Sequence, residues 1–302
     1  MRIAVTGASG FCGSAVARLA AATGADVVCL GRRPGPLGTH VRWDAARDAP
    51  DLAGADAVIH LAAAVGDQDR GPAAEAMFRV INVDATARLL DAAGDRPVVW
   101  VSSASVYRPG PYAEPVREDH PVDSQRTAYG RTKAAGERLA LAAGAVVLRP
   151  RAVYGDGDRH LLPRLRRIVR GGRAWLPGPD VPLSLTAVPN LAEACLAALG
   201  VTAAADGNVD TGWKPGAYNI ADEAGYRRDA VVAAVLGVPV RHVPLRLIRP
   251  LATLAPLLAD RPALTPYAID QLTDGLILDI SRAKAEGWRP RRTLTDYLDQ
   301  RV

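Results

Sequence analysis

The stretch "VTGASGFCGSAV" limits what this chain can fold into more than any other part of it. It sets Gly7, Gly10 and Gly13 in G-x-x-G-x-x-G spacing between "RIAVTG", which reads as a strand, and "SAVARLAAAT", which reads as a helix. Glycines in such a loop permit a tight turn, close approach of backbone to a pyrophosphate, and close packing of helix on strand. The helix that follows presents free N–H groups and a partial positive charge to the phosphates. A plain tight turn is the bland alternative. The strand before, the helix after and the position at the head of the chain favour a dinucleotide site, with Gly7, Gly10, Phe11, Cys12 and Gly13 as its loop residues.

The same alternation continues downstream. "ADVVCLG", "DAVIHLAA", "PVVWVSS" and "AVVLRP" are short apolar runs, separated by the helical "FRVINVDATARLLDAAG" and "YGRTKAAGERLALAAG". This βαβ rhythm predicts an α/β fold, a doubly wound parallel sheet of Rossmann type covered on both faces. The rhythm weakens after Pro150. "RLRRIVRGG" reads as a short helix, "LSLTAV" as a returning strand, "NLAEACLAALG" as a helix and "GAYNIAD" as another strand. The expected organisation is a dinucleotide-binding domain over residues 1–155, with returning segments near 182–222. A smaller, mostly helical substrate lobe would use 156–181 and 223–302. The apolar, proline-interrupted stretch Pro244 to Leu258 reads as a lid or packed core.

Composition narrows the function class. Half the residues are hydrophobic (49%), enough for a sizeable core, and the net charge of +5 comes from arginine. The densest basic run, "RLRRIVRGGR", reads as a solvated face rather than a nucleic-acid surface. Cys12, Cys29 and Cys195 lie far apart without metal-ligand spacing, so neither zinc nor a disulfide framework is expected. Reduced thiols, an opening without signal-peptide features and the lack of a ~20-residue apolar run point to a cytoplasmic protein without a membrane span.

"TAYGRTK" then carries the chemistry. Tyr129 and Lys133 stand four apart on a helical segment, so they share a face. Lysine is scarce: Lys133, Lys214 and Lys284 are the only three among 37 basic residues. A free phenol titrates near ~10, too high for a base at neutral pH, and a neighbouring ammonium favours its phenolate. Tyr129 is the expected acid/base and Lys133 its electrostatic partner. At the end of the second strand, where an acid would hold an adenosine ribose, the chain reads "VVCLGRRPG". Arg32 and Arg33 there suit a 2′-phosphate, which favours NADP(H), with NAD(H) the alternative.

The glycine loop with Tyr-x-x-x-Lys resembles the short-chain dehydrogenase/reductase superfamily, in its extended branch of NAD-dependent epimerase/dehydratase type. "DAVIHLAA" is similar to the strand that this branch places beside the nicotinamide ribose, which implies Leu61, Ala62 and Ala63 as cofactor contacts. "INVDAT" resembles the helix with its active-site asparagine, here Asn82. "VSSASVY" resembles its serine motif, implying Ser103 as catalytic and Ser105 as a neighbour on the substrate. "LRPRAVYGDGD" resembles the segment after the sixth strand, implying Val153 at the cofactor and Tyr154 and His160 at the substrate. Asp44 in "VRWDAARD" matches an acidic position near the adenine. A homodimer through the helices flanking the site is the family's habit.

Three activities fit these motifs. One is a reductase or dehydrogenase for an apolar secondary alcohol or ketone. "SSASVY" lacks the acidic pair of a dehydratase, and "VYGDGDRHLLP" lacks the asparagine expected beneath a nucleotide sugar. The C-terminal half, with "AYNIADE" and "PALTPYAIDQLTDGLILDISRAKAEGWRP", resembles the 3β-hydroxysteroid dehydrogenase-like group, which acts on apolar substrates. The second is a nucleotide-sugar 4-epimerase with tightly held NAD. The third, a non-catalytic NADP-binding sensor, sits poorly with an intact Ser103, Tyr129 and Lys133.

Overall fold

A computed structural model describes residues 1–66, 72–158, 165–201, 212–258 and 265–300. The strands are β1 (Arg2–Thr6), β2 (Asp26–Gly31), β3 (Thr39–Arg42), β4 (Ala57–His60), β5 (Val98–Val101), β6 (Val146–Pro150) and β7 (Gly216–Ile220). They form one seven-stranded parallel sheet in the order β7-β6-β5-β4-β1-β2-β3. Alternation along the strands feeds two cores. Ile3 and Val5 face one apolar cluster with Ile59, Val99 and Leu148, while Ala4 faces a second with Val58, Trp100 and Val147. Covering both faces explains why these strands read as continuous apolar runs. The order reverses between β1 and β4, which opens a crevice at the strands' C-terminal ends.

Helices α1 (Phe11–Ala22), α2 (Pro72–Arg79), α3 (Ala85–Ala93), α4 (Ala128–Ala142) and α5 (Val188–Ala198) flank the sheet. Helices α2 and α3 run on through one π-helical turn, Val80–Asp84. Turns of this kind are rare and gather at functional sites. The remainder carries α6 (Arg228–Leu236), α7 (Leu245–Leu258), α8 (Pro266–Thr273), α9 (Ser281–Ala285) and α10 (Leu294–Asp299).

Three expectations change here. "RLRRIVRGG" is not a helix beyond its first residues, because Val169–Arg170 pairs antiparallel with Arg173–Pro177. Gly171 and Gly172 between them adopt φ of +57° and +69°, the backbone of a two-residue hairpin turn. "LSLTAV" supplies only the two-residue strands Pro182–Leu183 and Thr186–Ala187, both outside the main sheet. Pro244 to Leu258 is largely the helix α7, and Leu247 and Leu251 on it are exposed instead of packed in a core. The buried guanidinium of Arg228 joins hairpin to helix, donating to the carbonyls of Pro177 at 2.8 Å and Leu272 at 2.7 Å.

Candidate active site

The glycine loop is built from contacts that a side chain would break. A Cβ on Gly7 would lie 2.9 Å from the Ala62 nitrogen, and one on Gly13 would lie 2.2 Å from the Gly7 oxygen. Gly7 also holds φ +69°, which L side chains rarely adopt. Gly10 precedes α1 as a cap without a side chain, and the first turn holds no acid, so the N-terminal donors and partial positive charge are left open to an anion. The rings and backbone around the loop are close: Phe11 packs 3.7 Å from where a Cβ would sit on Gly155 or Gly157. Cys12 is half-buried, and burial with Asp158 nearby pushes its thiol up to about 12, so it stays a neutral filler.

Thr6 fixes the loop after β4. Its hydroxyl accepts from the Leu61 and Ala62 nitrogens, each at 3.1 Å, which leaves its proton for His60 Nδ1 at 2.8 Å. His60 is therefore the Nε2–H tautomer. Burial first, and Lys133 second, lower its pKa to about 3, and it stays neutral. Arg32 and Arg33 follow β2 directly, are exposed, and join no ion pair among the described residues. Asp44 spends one carboxylate oxygen on the Ala46 nitrogen at 3.1 Å in a local turn.

Ser103 ends the loop after β5. Its Oγ accepts from the Ser105 nitrogen and lies within hydrogen-bond reach of Ser105 Oγ, both at 3.1 Å. Tyr129 sits in the first turn of α4, which Thr127 caps by accepting from the Gly130 nitrogen at 3.1 Å. Burial pushes the phenol up to about 12, a hydrogen bond with Ser103 pulls it back, and Tyr267 and Cys12 add upward pushes. Ser103 and Tyr129 therefore meet, as their motifs imply.

Lys133 follows Tyr129 by one turn of α4. Its Nζ donates to the Val101 oxygen at 2.7 Å and stands 3.6 Å above the Trp100 ring centroid. The side chain is buried, and burial lowers its pKa to about 7 against the upward pull of Glu137 one turn along. The described partners occupy one of its three N–H donors.

Asn82 lies in the π-helical turn, and its side chain is taken up by structural partners. Its Oδ1 accepts from the Ala64 nitrogen at 2.8 Å, and its Nδ2 donates to the Ala64 oxygen and Thr132 Oγ1, each at 3.1 Å. It straps the loop after β4 to α4. Gly136 permits this closeness, because a Cβ there would meet the Asn82 oxygen at 2.2 Å.

Tyr154 corrects a substrate assignment. It is 1% exposed and its hydroxyl donates to Asp222 at 2.6 Å. Asp222 also accepts from Tyr226, Asn190 and the Ala187 nitrogen, so this is a closed structural network. Val153 is half-buried and pairs with Thr186, Ser105 is half-buried beside Ser103, and Ala63 lies on the loop held by Thr6 and Asn82. His160 falls outside the described residues.

The sequence reading missed a buried ion pair behind the site. Glu137 and Arg149 meet at 2.5 Å, each almost wholly buried. Glu137 also accepts from Ser102 Oγ at 2.5 Å, and Arg149 donates to Tyr107 at 2.9 Å. Glu137 stands four residues after Lys133, which was the available signal.

Comparison with known proteins places this architecture. The profile of the NAD dependent epimerase/dehydratase family matches residues 3–221. The chain belongs to that family. A 2-alkyl-3-oxoalkanoate reductase of Stenotrophomonas maltophilia (strain K279a) is 33% identical over 59% of this chain and 58% of its own length. A dTDP-4-dehydrorhamnose reductase of Streptomyces griseus is 32% identical over 95% of this chain and 88% of its own. Among solved structures, MoeE5 in complex with UDP-glucose and NAD superposes with a TM-score of 0.70 and 25% identity, covering 99% of this chain and 96% of that one. No helix among the described residues is long and apolar enough to cross a membrane.

Proposed function

We propose that this chain is an NADP(H)-dependent ketone reductase. The observation that carries the reading is the meeting of Ser103 with a protonated Tyr129 beside a buried, under-bonded Lys133. A phenol held at about 12 is protonated at neutral pH, which suits donation to a carbonyl oxygen. The reductase relatives, acting on a 3-oxoalkanoate and on a dTDP-sugar ketone, support the same direction.

The residues present fit a nicotinamide dinucleotide. The uncapped start of α1 receives phosphates, and the close-packed Gly7 and Gly13 let the backbone approach them. The two remaining Lys133 donors suit ribose hydroxyls. Arg32 and Arg33 suit a 2′-phosphate, the basis for choosing NADP(H) over NAD(H). The bound nicotinamide supplies the hydride. Ser103 orients the substrate oxygen, and Tyr129 gives it a proton as the alcohol forms. Asn82, through Ala64 and Thr132, keeps the cofactor loop and α4 in register.

The nucleotide-sugar epimerase remains as a second reading because the MoeE5 structure holds UDP-glucose and NAD. The two differ in cofactor traffic. A reductase releases its nucleotide each turnover, whereas an epimerase retains it. Purified protein is assayed for bound nucleotide and then for NADPH and NADH oxidation against a panel of ketones. Exchangeable cofactor with stoichiometric NADPH oxidation is expected. Tightly bound NAD, with a UDP- or dTDP-sugar epimerised and no net cofactor change, refutes the reading. The paired change Arg32→Ala and Arg33→Ala should weaken NADP(H) binding about tenfold or more and spare NAD(H). A wild-type preference for NADH refutes that choice.

A further inference from the structure

Arg151 is the first residue past β6, at the C-terminal end of the sheet's strands, where ligands of this fold bind. Its backbone is clamped by Thr186, which donates to the Arg151 oxygen at 2.9 Å. Its guanidinium is nearly unused. Nε is buried with no hydrogen-bond partner, and a terminal nitrogen makes one long contact, 3.4 Å, to the Gln271 oxygen. A guanidinium offers five donors, and leaving buried ones unmet is costly.

The surroundings hold a surplus of positive charge. Arg126 pairs with Asp270 and lies 3.7 Å from Asp274, and Arg249 pairs with Asp270 at 3.3 Å. Burial and Asp270 hold Asp274 up to about 6, so it is ionised at neutral pH. Three arginines thus face two carboxylates, and Arg151, which Asp274 reaches only through space, is the one without a direct ion-pair partner among the described residues. Its phenolic neighbours are Tyr112 and Tyr267. Tyr267 on α8 acts on both Arg151 and Tyr129, and so joins this cluster to the proposed proton donor. Tyr267 and Gln271 are one helical turn apart, ~6 Å along the axis.

We propose that Arg151 binds a carboxylate of the substrate, which makes that substrate an oxo acid. This rests on the reductase reading. A single surplus charge matches a carboxylate better than a nucleotide diphosphate. A planar guanidinium with an open edge also suits bidentate pairing with a carboxylate. The donor set gives recognition only; the hydride and proton steps stay with the cofactor and Tyr129.

The test uses the whole protein with NADPH and compares 3-oxooctanoate with its methyl ester. Wild type should prefer the acid. Arg151→Met should lower the acid-to-ester ratio of kcat/KM tenfold or more through KM for the acid, and Arg151→Lys should recover part of it. Equal response of acid and ester to Arg151→Met overturns the proposal while the reductase reading stands. If neither compound is reduced, a second measurement decides: octanoate should raise the melting temperature of the NADPH-loaded wild type and not of Arg151→Met. No shift in wild type, or the same shift in both, overturns the proposal. A shift by UDP that Arg151→Met abolishes, with none by octanoate, overturns it in favour of a diphosphate.

Discussion

Replacing Lys133 by methionine isolates what it costs the fold to bury an ammonium at the site. The side chain is 2% exposed, and its pKa falls from 10.5 to about 7 because burial outweighs the help from Glu137. Between those two values the unfolded chain holds a proton that the folded chain has released. Stability therefore rises with pH across this window: the penalty is full below about 7 and absent above 10.5. Each pH unit well inside the window is worth ~1.4 kcal/mol. From pH ~6.5 to ~8.5 the folded side chain passes through its own titration, so the gain is about 2 kcal/mol rather than the full slope over two units. The assay is urea unfolding of cofactor-free wild type and Lys133→Met at several pH values in that range, where the three thiols are common to both variants and cancel from the difference. Methionine has no proton to release, so its advantage over wild type should shrink by about 2 kcal/mol as pH rises. A gap that stays constant across the range refutes the placement of Lys133 as a buried, desolvated ammonium. A gap that widens refutes the sign of the argument.

Arg149→Met should destabilise by about 3–5 kcal/mol, because Glu137 is left buried without its counter-charge, and adding Glu137→Leu should recover much of that in thermal melts. Gly13→Ala should abolish cofactor binding and lower the melting temperature, since its Cβ falls 2.2 Å from the Gly7 oxygen; normal nucleotide titration would contradict this loop geometry. Ala152 is exposed with φ +44°, so Ala152→Gly should stabilise by about 1 kcal/mol in urea unfolding, and any loss of stability would contradict the strain. Tyr129→Phe should lower turnover ~10²–10⁴-fold with nucleotide affinity retained, and near-normal turnover would remove it as the proton donor.

The cofactor half of the molecule was legible because backbone dictates it. Glycines at Gly7, Gly10 and Gly13 answer to contacts within a few residues, and apolar runs such as "AVIH" declare strands buried on both faces. The hairpin at Gly171 and Gly172 was legible too, but the apolar spacing of Leu165, Ile168 and Val169 imitated a helix and the glycines passed for its end. Tyr154 and Asn82 misled for another reason. Their motif positions are right, but what a side chain touches depends on residues far along the chain, Asp222 for the first and Thr132 for the second. The Arg149–Glu137 pair went unread because the two residues sit on different elements, β6 and α4, and the spacing of Glu137 from Lys133 points to the lysine but not to the arginine.

Those long-range pairs explain how the reacting groups keep their geometry. Ser103 sits on the loop after β5, and Tyr129 on α4, so their separation depends on how that helix is docked. Three links dock it. Glu137 accepts from Ser102, the residue just before Ser103. Glu137 is itself fixed by Arg149 from β6. Thr132 receives Asn82, which also grips Ala64. The first and third links end beside the serine, the cofactor loop and the lysine, and the second holds Glu137 from behind. The links are buried and polar, so breaking one leaves an unsatisfied group instead of a tolerated gap. A helix docked by apolar contact alone could slide by a fraction of a turn at little cost. One docked through directional bonds at two residues, Thr132 and Glu137, keeps Ser103 and Tyr129 in reach of each other, which is what proton transfer to a substrate oxygen requires.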